Sequence, residues 1–318
     1  MNESGTPAAG GTPQARRRPL LKKLIRDKYL ILMWIPPLLL LLIFHYVPMY
    51  GIVIAFQNYH PGQNFFFTDH WVGFDQFVRF FESPFAFRLI KNTVLISVYS
   101  IVFGFPVPIL FALLLNEVRH SKFKRISQTI SYLPHFISTV IIVGMIVNML
   151  SSNGGVITEF IYDLTGQRLN FFLDPQYFKV IFVSSGIWQG FGWGSILYLA
   201  AIAGIDPQLY EAAEIDGATR LQRIRFITLP GLLPTISILF ILSFAGLFDV
   251  SADKVILLYN PAIYETSDVI SSYVYRIGLL GAEYSFGTAI GIMNAVVSLL
   301  LLLFINTIAR KAKLETLW

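Results

Sequence analysis

The sequence predicts an all-α membrane protein with six transmembrane helices. Three observations lead to this fold class: long apolar runs recur along the chain, charged residues are scarce, and the charges that remain are divided unevenly among the connections. The chain has 318 residues, of which 55% are hydrophobic and 14% are charged, and its mean hydropathy is +0.62. Soluble globular proteins carry about 25% charged residues, so the composition argues against a soluble domain.

Six runs are long enough to cross a bilayer, because about 20 apolar residues in a helix span the hydrocarbon core. Their repetition argues against buried core helices, which normally show a polar face. Pro230 and Pro234 interrupt the start of the fifth run. In chain order the predicted spans are Tyr29–Phe56, Thr93–Asn116, Ile126–Leu150, Val180–Ile205, Phe226–Leu247 and Phe286–Ile308.

The net charge of +5 is compatible with nucleic-acid binding, but its distribution favours a membrane topology. Basic residues precede the first span, follow the sixth, and fill the connections after the second and fourth. The other connections are near neutral. Basic connections stay on the cytoplasmic side, so both termini and the connection between the fourth and fifth spans are predicted to be cytoplasmic. The basic residues are Arg16, Arg17, Arg18, Lys22, Lys23, Arg26, Lys28, Arg119, Lys122, Lys124, Arg125, Arg220, Arg223, Arg225, Arg310, Lys311 and Lys313.

The N-terminal segment differs in composition from the rest of the chain. Residues 1–19 are small, polar and then basic, which is typical of disorder, and we expect a disordered cytoplasmic tail there. Residues 20–318 are predicted to form the transmembrane domain. The first apolar run is too long for a signal-peptide core and lacks a small-residue cleavage site. The chain contains no cysteine, so neither disulfides nor cysteine-based metal sites are expected.

The connection between the fourth and fifth spans is polar and favours helix formation. Asp206 can cap a helix and Pro207 suits its first position, so residues 208–215 are predicted to be helical. Gly217 can take a positive φ and allow a sharp turn, and a second short helix is predicted at residues 218–226. The result is a helix–glycine–helix knob that projects from the membrane.

The knob contains the spacing E-A-A-x3-G-x9-I-x-L-P, which starts at Glu211 and ends at Pro230. This spacing resembles the EAA loop of ABC-importer permeases, the membrane-spanning subunits of binding-protein-dependent uptake systems. The resemblance implies the type I permease architecture in a bacterial inner membrane. It also implies that Glu211, Ala212, Ala213 and Gly217 dock into a cleft on a separate ATP-binding subunit. The alternative for the same residues is an amphipathic connector that lies on the membrane.

The resemblance also implies partners and a cargo. The partners are a second permease subunit, two ATP-binding subunits and an extracytoplasmic solute-binding protein. Further stretches resemble the carbohydrate branch, especially permeases for oligosaccharides or polysaccharide fragments such as alginate. These stretches are VPMYGIVIAFQNY from Val47, ALLLNEV from Ala112, YLPHFIS from Tyr132 and YNPAIYETSDVISSYVYRIGL from Tyr259.

The predicted spans carry no Asp, Glu, Lys or Arg in their middle. Charge there costs about 3 kcal/mol and is kept mainly for function, so ion-coupled transport is disfavoured and a path for a neutral or externally carried solute is favoured. Trp188, Gln189 and Trp193 in the fourth span, with Asn294 in the sixth, combine apolar faces with hydrogen-bonding groups, which suits a sugar. They are the candidate path residues. For the aromatic pair, the alternative role is helix packing together with an aromatic belt at the membrane interface.

The connection between the fifth and sixth spans, residues 249–284, is rich in tyrosine and carries charges of both signs, including Lys254. We place it outside the membrane on the extracytoplasmic side. It is the outer connection most expected to touch another protein or the incoming solute.

Two other function classes remain as alternatives. A membrane enzyme acting on lipid or glycan would need a carboxylate pair, a His/Asp cluster or a nucleophile with its base, and none is evident in the sequence. A passive channel would explain uncharged spans but not a docking loop. The phosphate-binding pattern G-x4-G-K-[ST] is absent, so ATP hydrolysis is expected on separate subunits, and neither a catalytic residue, a cofactor nor a metal is expected here.

Overall fold

The computed structural model describes residues 28–62, 70–248, 250–312 and 315–316. The predicted tail, residues 1–19, and its boundary with the transmembrane domain lie outside these residues. The chain divides into two compact units, Met1–Ile52 and Val53–Trp318. In the first unit the α-helix Lys28–Leu41 continues through the π-helix Leu42–Tyr46 and the single turn Val47–Met49. The 3-10 helix Tyr50–Phe56 completes a candidate span that runs over Lys28–Phe56.

Four more helices of the second unit are long and apolar enough to cross a membrane. They are Ala86–Asn116, Pro175–Ala203, Arg220–Ala245 and Tyr284–Lys311. A bent helix pair between the first two of these also meets the criterion if it is counted as one span. The described residues therefore hold five straight candidate spans and one bent pair, and the predicted all-α fold with six spans is confirmed.

Shorter helices occupy the connections between the spans. These are Asp75–Glu82, Val156–Thr165, Pro207–Ile215, Ala252–Leu258, Tyr264–Ser267 and Ile270–Tyr273, with the 3-10 helix Pro261–Ile263 and the π-helix Val274–Leu280.

The third span is broken, which corrects the single helix predicted over Ile126–Leu150. The helical segment Ser121–Phe136 meets the helix Thr139–Leu150 at 98°. Pro134 lies in the 3-10 turn that ends the first segment, and the Ser138 hydroxyl accepts a hydrogen bond from the Ile141 amide at 3.4 Å as the N-cap of the second. A serine cap starts a new helix by satisfying an amide that the previous helix leaves free.

The fourth span, Pro175–Ala203, is the central helix of the second unit. It packs against the second span, the fifth span and the bent pair. A Cβ added at Gly192 would overlap the backbone carbonyl of Ser131 in the bent pair, whereas one added at Gly190 would meet nothing within 4 Å. Glycine is therefore required at position 192 by the close approach of two helices.

The connection between the fifth and sixth spans is largely buried. Ile263, Val269 and Val255 are at most 1% exposed and join a core with Ile96 of the second span and Phe178 of the fourth. This connection is therefore a packed part of the second unit, and its short helices fold back among the spans.

A buried ionic cluster anchors this connection. Asp268 is fully buried, and its carboxylate pairs with Arg276 at 2.7 Å and with Arg88 of the second span at 3.6 Å. The Ser272 hydroxyl donates to the same carboxylate at 2.9 Å, and the Asn92 amide donates to the Asp268 carbonyl at 3.0 Å. Burial opposes the charge of Arg276, but the hydrogen bonds and charge of Asp268 outweigh it and raise the pKa of Arg276.

Candidate functional site

The EAA helix, Pro207–Ile215, stands between the fourth and fifth spans. It starts where the sequence predicts. The Asp206 carboxylate accepts a hydrogen bond from the Gln208 amide at 2.9 Å, and Pro207 occupies the first helical position. Both features satisfy or remove amides that would lack partners at a helix start. Glu211, Ala212 and Ala213 therefore lie in the interior of a well-formed helix.

Gly217 makes the turn that follows the EAA helix. Its φ is +75°, a left-handed conformation that glycine adopts without strain. The turn is closed by a hydrogen bond from the Ala218 amide to the Ala213 carbonyl at 2.9 Å and by one from the Gly217 amide to the Glu214 carbonyl at 3.1 Å. These are the 6→1 and 5→2 hydrogen bonds of the Schellman motif, which ends a helix at a glycine. The predicted positive φ at this glycine is confirmed.

The second half of the knob differs from the prediction of a separate helix at residues 218–226. Thr219 and Gln222 form a reciprocal capping box, and the helix begins at Arg220. It then runs through the π-helix Ile224–Thr228 into the fifth span without a break. The π-helix shifts the backbone hydrogen-bond pattern just before Pro230, so the helix continues into the fifth span despite the proline. The knob is therefore one free helix and one extension of a span.

Two side-chain contacts connect the EAA helix to that extension. The Tyr210 hydroxyl lies 2.9 Å from the hydroxyl of Thr228, which is fully buried. The Arg223 guanidinium pairs with the Glu214 carboxylate at 3.5 Å. The hydroxyl pair is the firmer contact, since Glu214 is largely exposed and an exposed ion pair contributes only about 0–1 kcal/mol. These contacts join the EAA helix to the base of the fifth span.

The EAA helix presents an exposed surface of mixed character. Glu211 and Ala212 are exposed and Ala213 is half-buried. Leu209 is 52% exposed and Ile215 is 87% exposed. An exposed apolar patch beside a charged residue, on a segment projecting from the spans, is typical of a docking surface.

A cavity of about 350 Å³ lies between the spans of the second unit. Its size falls within the range of ligand pockets, roughly 300–1,000 Å³. It is lined by the second, fourth and fifth spans, the start of the second half of the bent pair, and the connection after the fifth span. The lining residues are Ile96, Ser97, Ser100, Ile101, Thr139, Phe182, Gly186, Gln189, Ser243, Gly246, Leu247, Val250, Ser251 and Lys254.

Of the four candidate path residues, the structure brings Gln189 to this cavity. Its amide also donates to the Ile137 carbonyl, at 3.3 Å, beside the bend. The other three candidates do not line the cavity. Trp193 stacks on the His135 ring at 4.6 Å, the Asn294 amide donates to the Phe248 carbonyl at 3.0 Å, and Trp188 is 43% exposed.

Lys254 lines the cavity, although the sequence predicts that it lies in an outer connection. It lies on the cavity helix, Ala252–Leu258, and is 5% exposed. Its ammonium donates to the Phe182 carbonyl of the fourth span at 3.0 Å and lies 4.8 Å from the Phe182 ring centre. Burial lowers the pKa of Lys254 to about 8. The predicted absence of charged residues from the middle of the spans is unaffected, since Lys254 belongs to a connection, but that connection brings a cationic side chain to the cavity between the spans.

Comparison with known proteins places these features in a family. The family model "Binding-protein-dependent transport system inner membrane component" matches residues 104–313. The chain is 43% identical to the polygalacturonan/rhamnogalacturonan transport system permease protein YteP of Bacillus subtilis (strain 168), over 93% of this chain and 92% of that protein.

A solved relative gives the same result at the level of structure. A chain of the bacterial alginate ABC transporter, solved in complex with an alginate pentasaccharide-bound periplasmic protein, is 45% identical with a TM-score of 0.85, over 94% of this chain and 99% of that one. The resemblance carried by the EAA spacing is thereby confirmed. This chain belongs to the binding-protein-dependent transport system inner membrane components, the multi-pass permease subunits of ABC importers, which transport a solute and leave ATP hydrolysis to separate subunits.

Proposed function

We propose that this permease imports oligosaccharides or polysaccharide fragments across the bacterial inner membrane. Two relatives above 40% identity over nearly the whole chain belong to systems for polygalacturonan or rhamnogalacturonan and for alginate. Permeases with this degree of sequence identity are expected to form solute paths of similar shape. The partners follow from the same relatives: a second permease, ATP-binding subunits, and an extracytoplasmic binding protein that delivers the sugar.

The EAA helix is proposed as the coupling element, with Glu211, Ala212, Ala213 and Gly217 as the residues that dock on the ATP-binding subunit. The observation that carries this proposal is a capped, glycine-ended helix with an exposed mixed surface, joined to the fifth span by the Tyr210–Thr228 contact at 2.9 Å. The two alanines let a partner surface approach closely, and the glutamate supplies a charge for an ion pair. Closure of the ATP-binding subunits would then pull on the spans.

The coupling proposal is tested with the complete transporter reconstituted in liposomes with its binding protein. Glu211→Lys and Gly217→Pro are expected to weaken assembly with the ATP-binding subunits and to abolish ATP-dependent sugar uptake. Glu159→Lys is the matched control, since it reverses a charge in an exposed ion pair on another connection. Retention of both assembly and uptake by the two knob variants would contradict the coupling role. Uptake without any ATP-binding subunit would instead favour a passive channel.

The orientation proposed from the basic connections places both termini and the EAA helix in the cytoplasm. The chain has no cysteine, so single cysteines can be introduced without background. Ile215→Cys, at a side chain 87% exposed, is expected to react with a membrane-impermeant maleimide only after permeabilisation. Leu164→Cys, at a side chain 70% exposed on the connection after the bent pair, is expected to react in intact cells. The opposite pattern would invert the topology.

A further inference from the structure

One of the cavity-lining side chains, Lys254, is cationic, and the coupling role does not explain it. Lys254 is 95% buried, and its ammonium has one hydrogen-bond acceptor, the Phe182 carbonyl, in the part of the chain that the structure describes. An ammonium carries three N–H donors. Within the same residues no carboxylate forms an ion pair with it. Because a buried charge is costly without a counter-charge, this ammonium has free donors for an anionic group that enters the cavity.

The position of the ammonium is well inside the bundle. The fourth span begins at Pro175, so Phe182 lies seven residues along it, which corresponds to about 10 Å at 1.5 Å per residue. The ammonium therefore contacts the fourth span about two helical turns beyond the start of that helix. It is held by a backbone carbonyl and an aromatic face, both of which can stabilise an ammonium.

The surroundings of the ammonium suit a sugar acid. Phe182, Gly186 and Gln189 follow i, i+4 and i+7 spacing and share one face of the fourth span, so the ammonium and the Gln189 amide line the same cavity. Gly186 leaves room between them, since a Cβ there would come 3.4 Å from the ammonium nitrogen. Five residues with hydroxyl side chains also line this space. They are Ser97, Ser100, Thr139, Ser243 and Ser251.

We propose that Lys254 binds a carboxylate of the transported oligosaccharide, so that the permease selects fragments containing uronic acids. Gln189 and the hydroxyl groups would contact the neutral hydroxyls of the same sugar. This inference rests on the proposed function and narrows it to an acidic cargo. The relatives agree with it: one solved relative imports alginate, described as an acidic polysaccharide, and YteP belongs to a system for polygalacturonan, a polymer of a uronic acid.

The test compares trigalacturonate with its methyl ester, which has the same sugar rings but no negative charge. Their dissociation constants are measured by equilibrium dialysis against the complete transporter in nanodiscs, without the binding protein. The wild-type transporter is expected to bind the acid at least about tenfold more tightly than the ester, the effect of one charge-assisted contact. Lys254→Met is expected to remove that preference while keeping affinity for the ester, and Lys254→Arg is expected to retain it. Lys91→Met, at an exposed lysine of the second span, is the matched control and is expected to keep the preference.

The outcomes separate this inference from the proposed function. Equal weakening of acid and ester by Lys254→Met would give Lys254 a purely structural role and overturn the inference. A wild-type transporter that imports oligosaccharides but binds neither form, or binds both alike, would also overturn it while the proposed function stands. A transporter that imports no oligosaccharide at all would instead overturn the proposed function.

Discussion

The left-handed turn at Gly217 allows a sharp prediction about coupling. Its φ is +75°, and a Cβ added there would meet nothing within 4 Å. A substitution therefore costs only the backbone strain of the left-handed conformation, which is roughly 1–2 kcal/mol for an ordinary residue. Asparagine tolerates this conformation far better than a β-branched residue. Gly217→Val is thus expected to lower the equilibrium ratio of the observed turn to other conformations about 5–30-fold, and Gly217→Asn much less.

The assay is the affinity of the ATP-binding subunits for the permease pair in nanodiscs, measured by biolayer interferometry, together with ATP-dependent uptake by the complete transporter. Gly217→Val is expected to weaken association measurably, by up to the same 5–30-fold factor, because only the observed turn presents the EAA helix for docking. Wild-type affinity in Gly217→Val would refute the reasoning. Equal losses in the valine and asparagine variants would refute it too, since they would show that any side chain, and not the turn, causes the loss.

Three further outcomes are expected. Asp268→Asn leaves two arginines without their buried partner and is expected to cost about 3–5 kcal/mol of stability. Glu159→Gln, which removes the charge from the exposed pair with Arg168, is expected to cost under about 1 kcal/mol. Thermal unfolding followed by tryptophan fluorescence separates the two variants. Gly192→Ala is expected to lower the unfolding temperature by overpacking a helix contact, while Gly190→Ala, with open space around it, is expected to leave it nearly unchanged. The affinity for trigalacturonate is expected to be nearly constant below about pH 7 and to fall as the pH rises through about 8, because the Lys254 ammonium, with its pKa of about 8, loses its proton in that range while the sugar carboxylates stay ionised. Dialysis at about pH 6.5 and 9.5 checks this, and Lys254→Arg is expected to remove the fall.

The knob was predictable from the sequence because its geometry is local. Asp206 and Pro207 determine a helix start within three residues, and Gly217 determines its end, so no distant contact is needed to fix either. The extension of the fifth span was not predictable in the same way. Residues 218–226 carry the polar composition of a connection, and the Tyr210–Thr228 contact that holds them against the EAA helix joins residues 18 positions apart.

The bend in the third span shows where hydropathy fails. Residues 126–150 are apolar enough for one span, and a hydropathy window averages over the local signals that break it. Those signals are present: Pro134 cannot donate a backbone hydrogen bond, and Ser138 is a favoured N-cap residue. Neither decides the matter alone, since prolines and serines also occur inside membrane helices. The first half of the pair also has a tertiary contact that a hydropathy window does not detect, because Gly192 lets the backbone of the fourth span lie directly against it.

The position of Lys254 in the cavity could not be predicted from the sequence, and the reason is energetic. A lysine at the centre of a transmembrane helix costs about 3 kcal/mol on insertion, so a search for functional charge examines the spans and finds none here. Lys254 lies instead on a short connecting helix that packs among the spans. The Phe182 carbonyl and ring, and a cavity with room for solvent, then replace part of its hydration. The useful sequence signal is therefore a lysine beside apolar residues in a long connection. The sequence ADKVILL at residues 252–258 is an example. A helix there buries its apolar residues, and the lysine next to them is buried as well.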